Sequence, residues 1–225
     1  IVNKKLCNKI IQSNELKPDI MNRFKAYTQK ITNDIKKVSY SQSCNMGRFY
    51  GKSIINFNKK VKHTQFHYNG YIDIDQVKAQ PNIMLEVARK NNLKFEAVEK
   101  YINNTKKVFD DMTLYYGEEL QDQHIKLLFT SVIYGGSFKK WIENITNPNE
   151  EHLEKSFKPI KIKTTTETKY IKQFIKECNQ FKKKVWDNNP DIKKRIEQDE
   201  KKGQSYKQKT DYEKMNSVIS YFLQI

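Results

Sequence analysis

Residues 119–136 read ELQDQHIKLLFTSVIYGG. Ile125, Leu128, Phe129, Val132 and Ile133 recur three and four apart, a spacing that puts them on one face of an α-helix. Asp122, Lys126, Thr130 and Tyr134, each four apart, form another face. Gly135-Gly136 should end the helix, because glycine takes the conformation of a helix C-cap without steric cost. The stretch therefore predicts a helix over 119–134 that buries an apolar stripe and presents one lysine and a terminal tyrosine.

Working outward, the same periodicity recurs. A helix is predicted to follow Pro81, which is tolerated at a helix start, and another to cover 94–112. Downstream, Ile171, Phe174, Ile175, Cys178, Phe181 and Val185 form one face of a long helix whose other face is rich in lysine. Upstream, Ile20, Phe24, Tyr27, Ile31, Ile35 and Val38 predict a helix over 20–38, with Pro18 near its start. A last helix is expected to begin near Asp211 and to be still running at Ile225. Between these lie residues 47–68, read as irregular or short β structure. Residues 145–166, with Asn147-Pro148-Asn149, read as a linker or insertion. Residues 187–209 are charged and expected to be exposed.

One segment breaks the helical pattern. Residues 70–77, GYIDIDQV, alternate, so that Tyr71, Asp73, Asp75 and Val77 face one way and Ile72, Ile74 and Gln76 the other. Asp is a poor strand former, so a strand with two acids on one face is unusual.

Composition fits a helical, polyanion-directed protein. The 225 residues include only seven Gly and five Pro, which argues against a turn-rich all-β fold. Forty-two Lys and Arg against 26 Asp and Glu give a formal net charge of +16. A field that strong attracts polyanions, and nucleic acid is the expected partner. No membrane partner is expected, since no run of about 18 apolar residues appears. Cys7, Cys44 and Cys178 are odd in number and far apart, which suits reduced thiols in an intracellular, reducing compartment. His63 and His67 are four apart but lack a second ligand pair, so no zinc site is expected. The first residue is Ile1 and not Met, which reads as a fragment or a trimmed chain.

Two groups of residues could carry chemistry. Asp73 and Asp75 are hard oxygen donors on one strand face, the type of ligand that suits Mg²⁺ or Mn²⁺ in phosphoryl transfer. Lys126 could neutralise a triphosphate, and Tyr134 could pack on a base. Solvated acids on an edge strand, and the solvated face of a core helix, explain the same spacings equally well. Lys182, Lys183 and Lys184, together with Lys193-Lys194-Arg195, could follow phosphates or be solvated.

In combination, DIDQVKAQP at 73–81 resembles motif A of family A DNA polymerases, with Asp73 and Gln76 at matching positions. KLLFTSVIYGG at 126–136 resembles motif B, keeping the spacing of Lys126 to Tyr134-Gly135. The closer resemblance is to the divergent primase-polymerase modules of virophages, transposons and large DNA viruses. There a G-R-x-Y stretch precedes the acidic strand, here GRFY at 47–50, and a helix like AVEKYINNTKKVF at 97–109 follows it. The resemblance covers residues 47–141. It implies an α+β, mostly helical fold: a small palm-like antiparallel sheet carrying Asp73, and a fingers-like helical region carrying Lys126 and Tyr134. The implied organisation is an N-terminal helical region over 1–46 and polymerase motifs over 47–144. The linker (145–166) and basic C-terminal helices (167–225) would follow.

The implied activity is template-dependent nucleotidyl transfer. Asp73 and Asp75 would be catalytic and metal-binding; Lys126, Tyr134, Gly135 and Gln76 would bind substrate. Arg48, Lys62, Lys182, Lys183 and Lys184 would touch nucleic acid. Partners would be a DNA or RNA primer-template, nucleoside triphosphates and a helicase domain or subunit. The pattern also departs from the family. Its steric-gate Glu falls on Lys78, its His on Gln80, an Arg before the helix Lys on Asp122, an Arg of the intervening helix on Thr105, and its stacking Phe on Thr130. Motif C, expected after a helix like 215–223, is not visible. These departures keep two alternatives open: an inactive nucleic-acid-binding subunit, and a basic scaffold or packaging protein.

Overall fold

A computed structural model describes residues 2–42, 49–51, 57, 59–68, 70, 77–147, 158–201 and 210–223. These residues are mostly helical, with eleven helices among them and a single pair of short strands. The chain divides into two compact units, 1–76 and 77–225, so the division falls inside the stretch 47–144.

The first unit contains α1 (Lys4–Gln12), α2 (Pro18–Gln29), β1 (Tyr40–Gln42), β2 (Phe49–Gly51) and α3 (Lys59–Tyr68). β1 and β2 pair antiparallel, with Ser41 opposite Tyr50. Cys7, Met21, Phe24, Ile31 and Val61 are buried together, and Phe57 packs edge-on to Phe24 at 5.1 Å between ring centroids. The buried Gln65 amide ties α3 to the start of α1: Nε2 donates to the Asn3 carbonyl (3.1 Å), and Oε1 accepts from the Asn3 N–H (3.1 Å).

Two expectations fail in this unit. The helix expected over 20–38 stops at Gln29. Asn33 and Asp34 take positive φ (50° and 58°), and Thr32 bridges Ile35 antiparallel. That is a tight turn of the kind Asn and Asp favour between β-branched residues. Ile31 still reaches the core, whereas Ile35 is exposed. Residues 59–68, expected as irregular or β, form α3; of its side chains with described burial, Val61 and Gln65 are buried, too weak a stripe to read.

The second unit contains α4 (Ala79–Lys90), α5 (Glu96–Asn103), α6 (Thr105–Tyr116), α7 (Asp122–Ile133), α8 (Phe138–Thr146), α9 (Lys169–Asn188), α10 (Pro190–Lys201) and α11 (Asp211–Phe222). The twenty-residue α9 is the central element: α4, α5, α7, α10 and α11 all pack on it. Its predicted stripe is buried at Ile171, Phe174, Cys178, Phe181 and Val185, with Ile175 half-buried. Phe129 of α7 sits at the centre of an aromatic cluster with Tyr101 (4.4 Å), Phe174 (4.8 Å) and Tyr170 (6.2 Å). Burying each such ring contributes about 1.5–3 kcal/mol. A second cluster joins Tyr116 to Trp141 (5.7 Å) and Trp141 to Phe138 (5.3 Å). The Trp141 indole donates to the His124 carbonyl at 2.8 Å.

Other boundaries shift for local reasons. The helix expected over 94–112 is two helices, because Asn104 leaves helical geometry (φ −127°, ψ 40°) and the Thr105 hydroxyl donates back to the Tyr101 carbonyl at 2.6 Å. Short polar side chains compete with the helix ladder in this way. The expected linker, in its described part, is held in place. Ile160 N–H donates to Ile145, Lys163 N–H donates to the Tyr116 carbonyl, and the Tyr116 hydroxyl donates to Thr166 (3.0, 2.7 and 2.9 Å). Residues 190–201, expected to be exposed, form α10 and bury Ile192 and Ile196. No helix among the described residues is long and apolar enough to cross a membrane.

Burial gives the interior thiols and phenols a common behaviour in alkali. Desolvation pushes Cys7 up to about 11 and Cys178 up to about 12, against an ordinary 9.0. It also raises Tyr101, Tyr116 and Tyr170 above 10. A group raised on folding stabilises the fold fully below its unfolded value and loses that contribution as pH rises through the folded value. Stability should therefore fall progressively from pH 9 upward, as followed by urea midpoints. At pH 8 the thiolate fraction of Cys7 should be about 100-fold below that of a free thiol. Iodoacetamide should accordingly label Cys7 and Cys178 only after denaturation; rapid native labelling of either would contradict their burial.

Candidate functional site

The helix α7 carries the described part of the predicted site. Its apolar stripe, Ile125, Leu128, Phe129, Val132 and Ile133, is buried throughout. That fixes which residues face outward: Asp122, Lys126 and Thr130 are exposed, and Tyr134 is half-buried at the C-cap. Lys126 makes none of the ion pairs found among the described residues. From Lys126 to Tyr134 the axial rise is about 12 Å, at about 1.5 Å per residue.

The Tyr134-Gly135-Gly136 end has a defined geometry. Gly136 N–H donates to the Ser131 carbonyl (2.7 Å) and Gly135 N–H to the Val132 carbonyl (3.1 Å). This nested pair is the Schellman arrangement, which satisfies the last carbonyls of a helix. Gly135 has φ +95°, and a Cβ there would run into the Asn216 side chain of α11. Backbone angle and packing thus both require glycine at this position. The Asn216 Oδ1 is buried and has no hydrogen-bond partner among the described residues.

Lys182 also belongs to this junction. The sequence places it with Lys183 and Lys184 as an expected nucleic-acid contact, but it is 1% exposed and turned inward. Its Nζ donates to the Val132 carbonyl at 3.0 Å and lies 5.5 Å from the centre of the Tyr212 ring. A cation at a helix C-terminus complements the helix dipole. Burial lowers its pKa, and the nearby Cys178 opposes that shift. Its buried ammonium has no surface on which a phosphate could sit. Lys183 is exposed and Lys184 half-buried.

Several departures from the polymerase pattern have local explanations. Lys78, where the family has its steric-gate Glu, has φ 53° and aims its ammonium at the C-terminal end of α5. Nζ donates to the Ile102 carbonyl at 2.6 Å and to the Thr105 hydroxyl. Thr105, another departure, is therefore Lys78's partner. Phe129 is enclosed in the aromatic cluster, so the outward position beside it is Thr130. Lys78→Glu should place a carboxylate against helix-end carbonyls and lower stability by about 2 kcal/mol. A urea melt would show this as a lower midpoint, and an unchanged midpoint would refute the role given to Lys78.

The remaining predicted residues all belong to the first unit. Lys62 is half-buried on α3. Asp73, Asp75, Gln76 and Arg48 lie outside the described residues. Among the described residues no group of three or more His, Cys, Asp or Glu could hold a metal ion.

Sequence reading missed one residue of consequence. Glu177 of α9 is fully buried. Its carboxylate accepts from the backbone N–H groups of Ala97 (3.0 Å) and Val98 (2.9 Å) and from the Gln173 amide (2.9 Å). It caps the N-terminus of α5, where negative charge is favoured. A signal existed, since Glu177 lies beside Cys178 and three and four residues from Phe174 and Phe181 on the helix. Comparison with protein-family models, with curated proteins and with solved structures finds no match.

Proposed function

We propose that this chain is the core of a template-dependent nucleotidyltransferase, a DNA polymerase or primase-polymerase acting on a primer-template. The observation that carries the reading is α7: an exposed Lys126 with no ion pair among the described residues, on a rigid helix that closes in Tyr134-Gly135. Its residues follow GRFY and DIDQVKAQP in the order of the polymerase motifs. In this reading a palm-like sheet carries Asp73, and the helices of the second unit act as fingers. Lys126 offsets the charge of the incoming triphosphate, and Tyr134 packs against the templating pair. Asp73, assisted by Asp75, supplies oxygen donors suited to a hard divalent cation. Mg²⁺ or Mn²⁺, when bound, would supply charge neutralisation at the phosphates. Positioning and electrostatics would account for the acceleration.

Primer extension tests this directly, with deoxy- and ribonucleotides supplied separately. Extension by the wild type, its loss in Asp73→Asn and a raised nucleotide KM in Lys126→Ala are the expected results. A second reading, a binding subunit without turnover, is favoured by Asp122. That exposed carboxylate stands one turn before Lys126, where the family carries Arg, and a negative charge there repels a triphosphate. Tight primer-template binding without extension, on a chain proven full length, would establish this second reading and exclude the first.

A further inference from the structure

The outward face of α9 carries four lysines in register. Lys169, Lys172, Lys176 and Lys183 are all exposed. At about 100° per residue they fall within about 60° of arc, opposite Phe174, Phe181 and Val185. From first to last they span about 21 Å of helix axis. The residues interspersed on this face are Gln173, Asn179 and Gln180, exposed and uncharged. The one acid of α9 between Lys169 and Lys183 is Glu177, which is buried and bonded to the start of α5. None of the four lysines takes part in an ion pair among the described residues.

Like charges three and four apart destabilise a helix when nothing offsets them. Here α9 is anchored by the five helices packed on it, so the repulsion is tolerated; the exposed acid of this face, Asp187, stands one turn beyond Lys183, at the end of the row. Along the axis the four stand about 4.5, 6 and 10.5 Å apart, close enough for successive lysines to reach neighbouring or next-neighbouring phosphates of one nucleic acid strand. Amide side chains between them can donate to phosphate and sugar oxygens.

We infer that this face of α9 is the track for the sugar-phosphate backbone of bound nucleic acid, with Lys169, Lys172, Lys176 and Lys183 as its phosphate contacts. Lys182 is excluded from the track by its burial. The inference rests on the nucleic-acid-binding part of the proposed function and assigns it to a surface. Contact is sequence-independent, because the lysines reach phosphates and not base edges.

The test is fluorescence anisotropy with a labelled random-sequence DNA duplex across a salt series. It compares the wild type with the fourfold variant Lys169→Gln, Lys172→Gln, Lys176→Gln, Lys183→Gln. A charge-matched control changes Lys90, Lys106, Lys107 and Lys139 to Gln; all four are exposed on other helices. Circular dichroism confirms that both variants remain folded. The α9 variant should bind at least about tenfold more weakly at low salt, and its log–log salt slope should shrink by about 3, while the control changes far less. Equal losses in the two variants, or an unchanged slope in the α9 variant, would overturn the inference and leave nucleic-acid binding itself intact. No wild-type binding to the duplex would instead remove the functional reading, and the track with it. Binding to phosphatidylserine vesicles that is lost in the α9 variant while duplex binding persists would reassign the face to membranes and overturn the inference.

Discussion

Glu177→Ala should lower unfolding stability by about 3–5 kcal/mol, a large share of the roughly 5–15 kcal/mol that holds an ordinary domain together. The variant strips the acceptor from two buried backbone N–H groups, those of Ala97 and Val98, and from the Gln173 amide. Each unsatisfied buried donor costs about 1–3 kcal/mol, and loss of a helix cap accounts for about 1 more. Glu177→Gln keeps one acceptor oxygen but brings a second donor toward the α5 N-terminus, so about half the loss is expected. Urea denaturation followed by circular dichroism separates these cases. A loss below about 1 kcal/mol in the Ala variant would mean that α5 is held by its apolar contacts alone.

The second large effect is expected at Gly135. An alanine must adopt the positive φ of this position, at about 1 kcal/mol, and displace the Asn216 side chain that lies against the Cα, at about 1–3 more. The total, about 2–4 kcal/mol, falls at the end of α7 that presents Tyr134. Adding Asn216→Ala, which removes the clashing amide without placing glycine inside α11, should recover the steric part and leave the backbone part. If the double variant is no more stable than Gly135→Ala alone, packing against α11 is not what excludes a side chain. In the proposed enzyme the single variant should also impair nucleotide incorporation under conditions where it remains folded, because Tyr134 directly precedes the altered turn.

The helices of the second unit were legible where an apolar stripe was continuous. Ile125 to Ile133 and Ile171 to Val185 fixed α7 and α9 to within a few residues, and Gly135-Gly136 marked the stop. Legibility failed where a polar side chain, not the stripe, decided the backbone. Asn33-Asp34 turned the chain although Ile31 and Ile35 kept the helical period. Asn104 and Thr105 cut one helix into two. At the candidate site the exposure of Lys126 and the need for Gly135 could be read, because both follow from a helix face and its end. The inward turn of Lys182 could not, because a run of three lysines looks uniformly solvated until the tertiary packing of α7 and α11 singles one out. Glu177 was hidden for the same reason, its partners lying about 80 positions earlier in the chain.

That separation has a consequence for the order in which the protein is made. The helices α4 to α8 leave the ribosome before α9, the element they need to bury Tyr101 and Phe129 and to cap α5. At synthesis rates of about 5–20 residues per second, Ala97 waits roughly 4–16 s for Glu177 to be added, and longer for it to clear the exit tunnel. Until then the apolar faces that α4, α5 and α7 turn toward α9 have no partner. Stalled chains ending before Lys169 should therefore be protease-sensitive, and resistance should be complete only when α11, which also packs on α9, has cleared the exit tunnel.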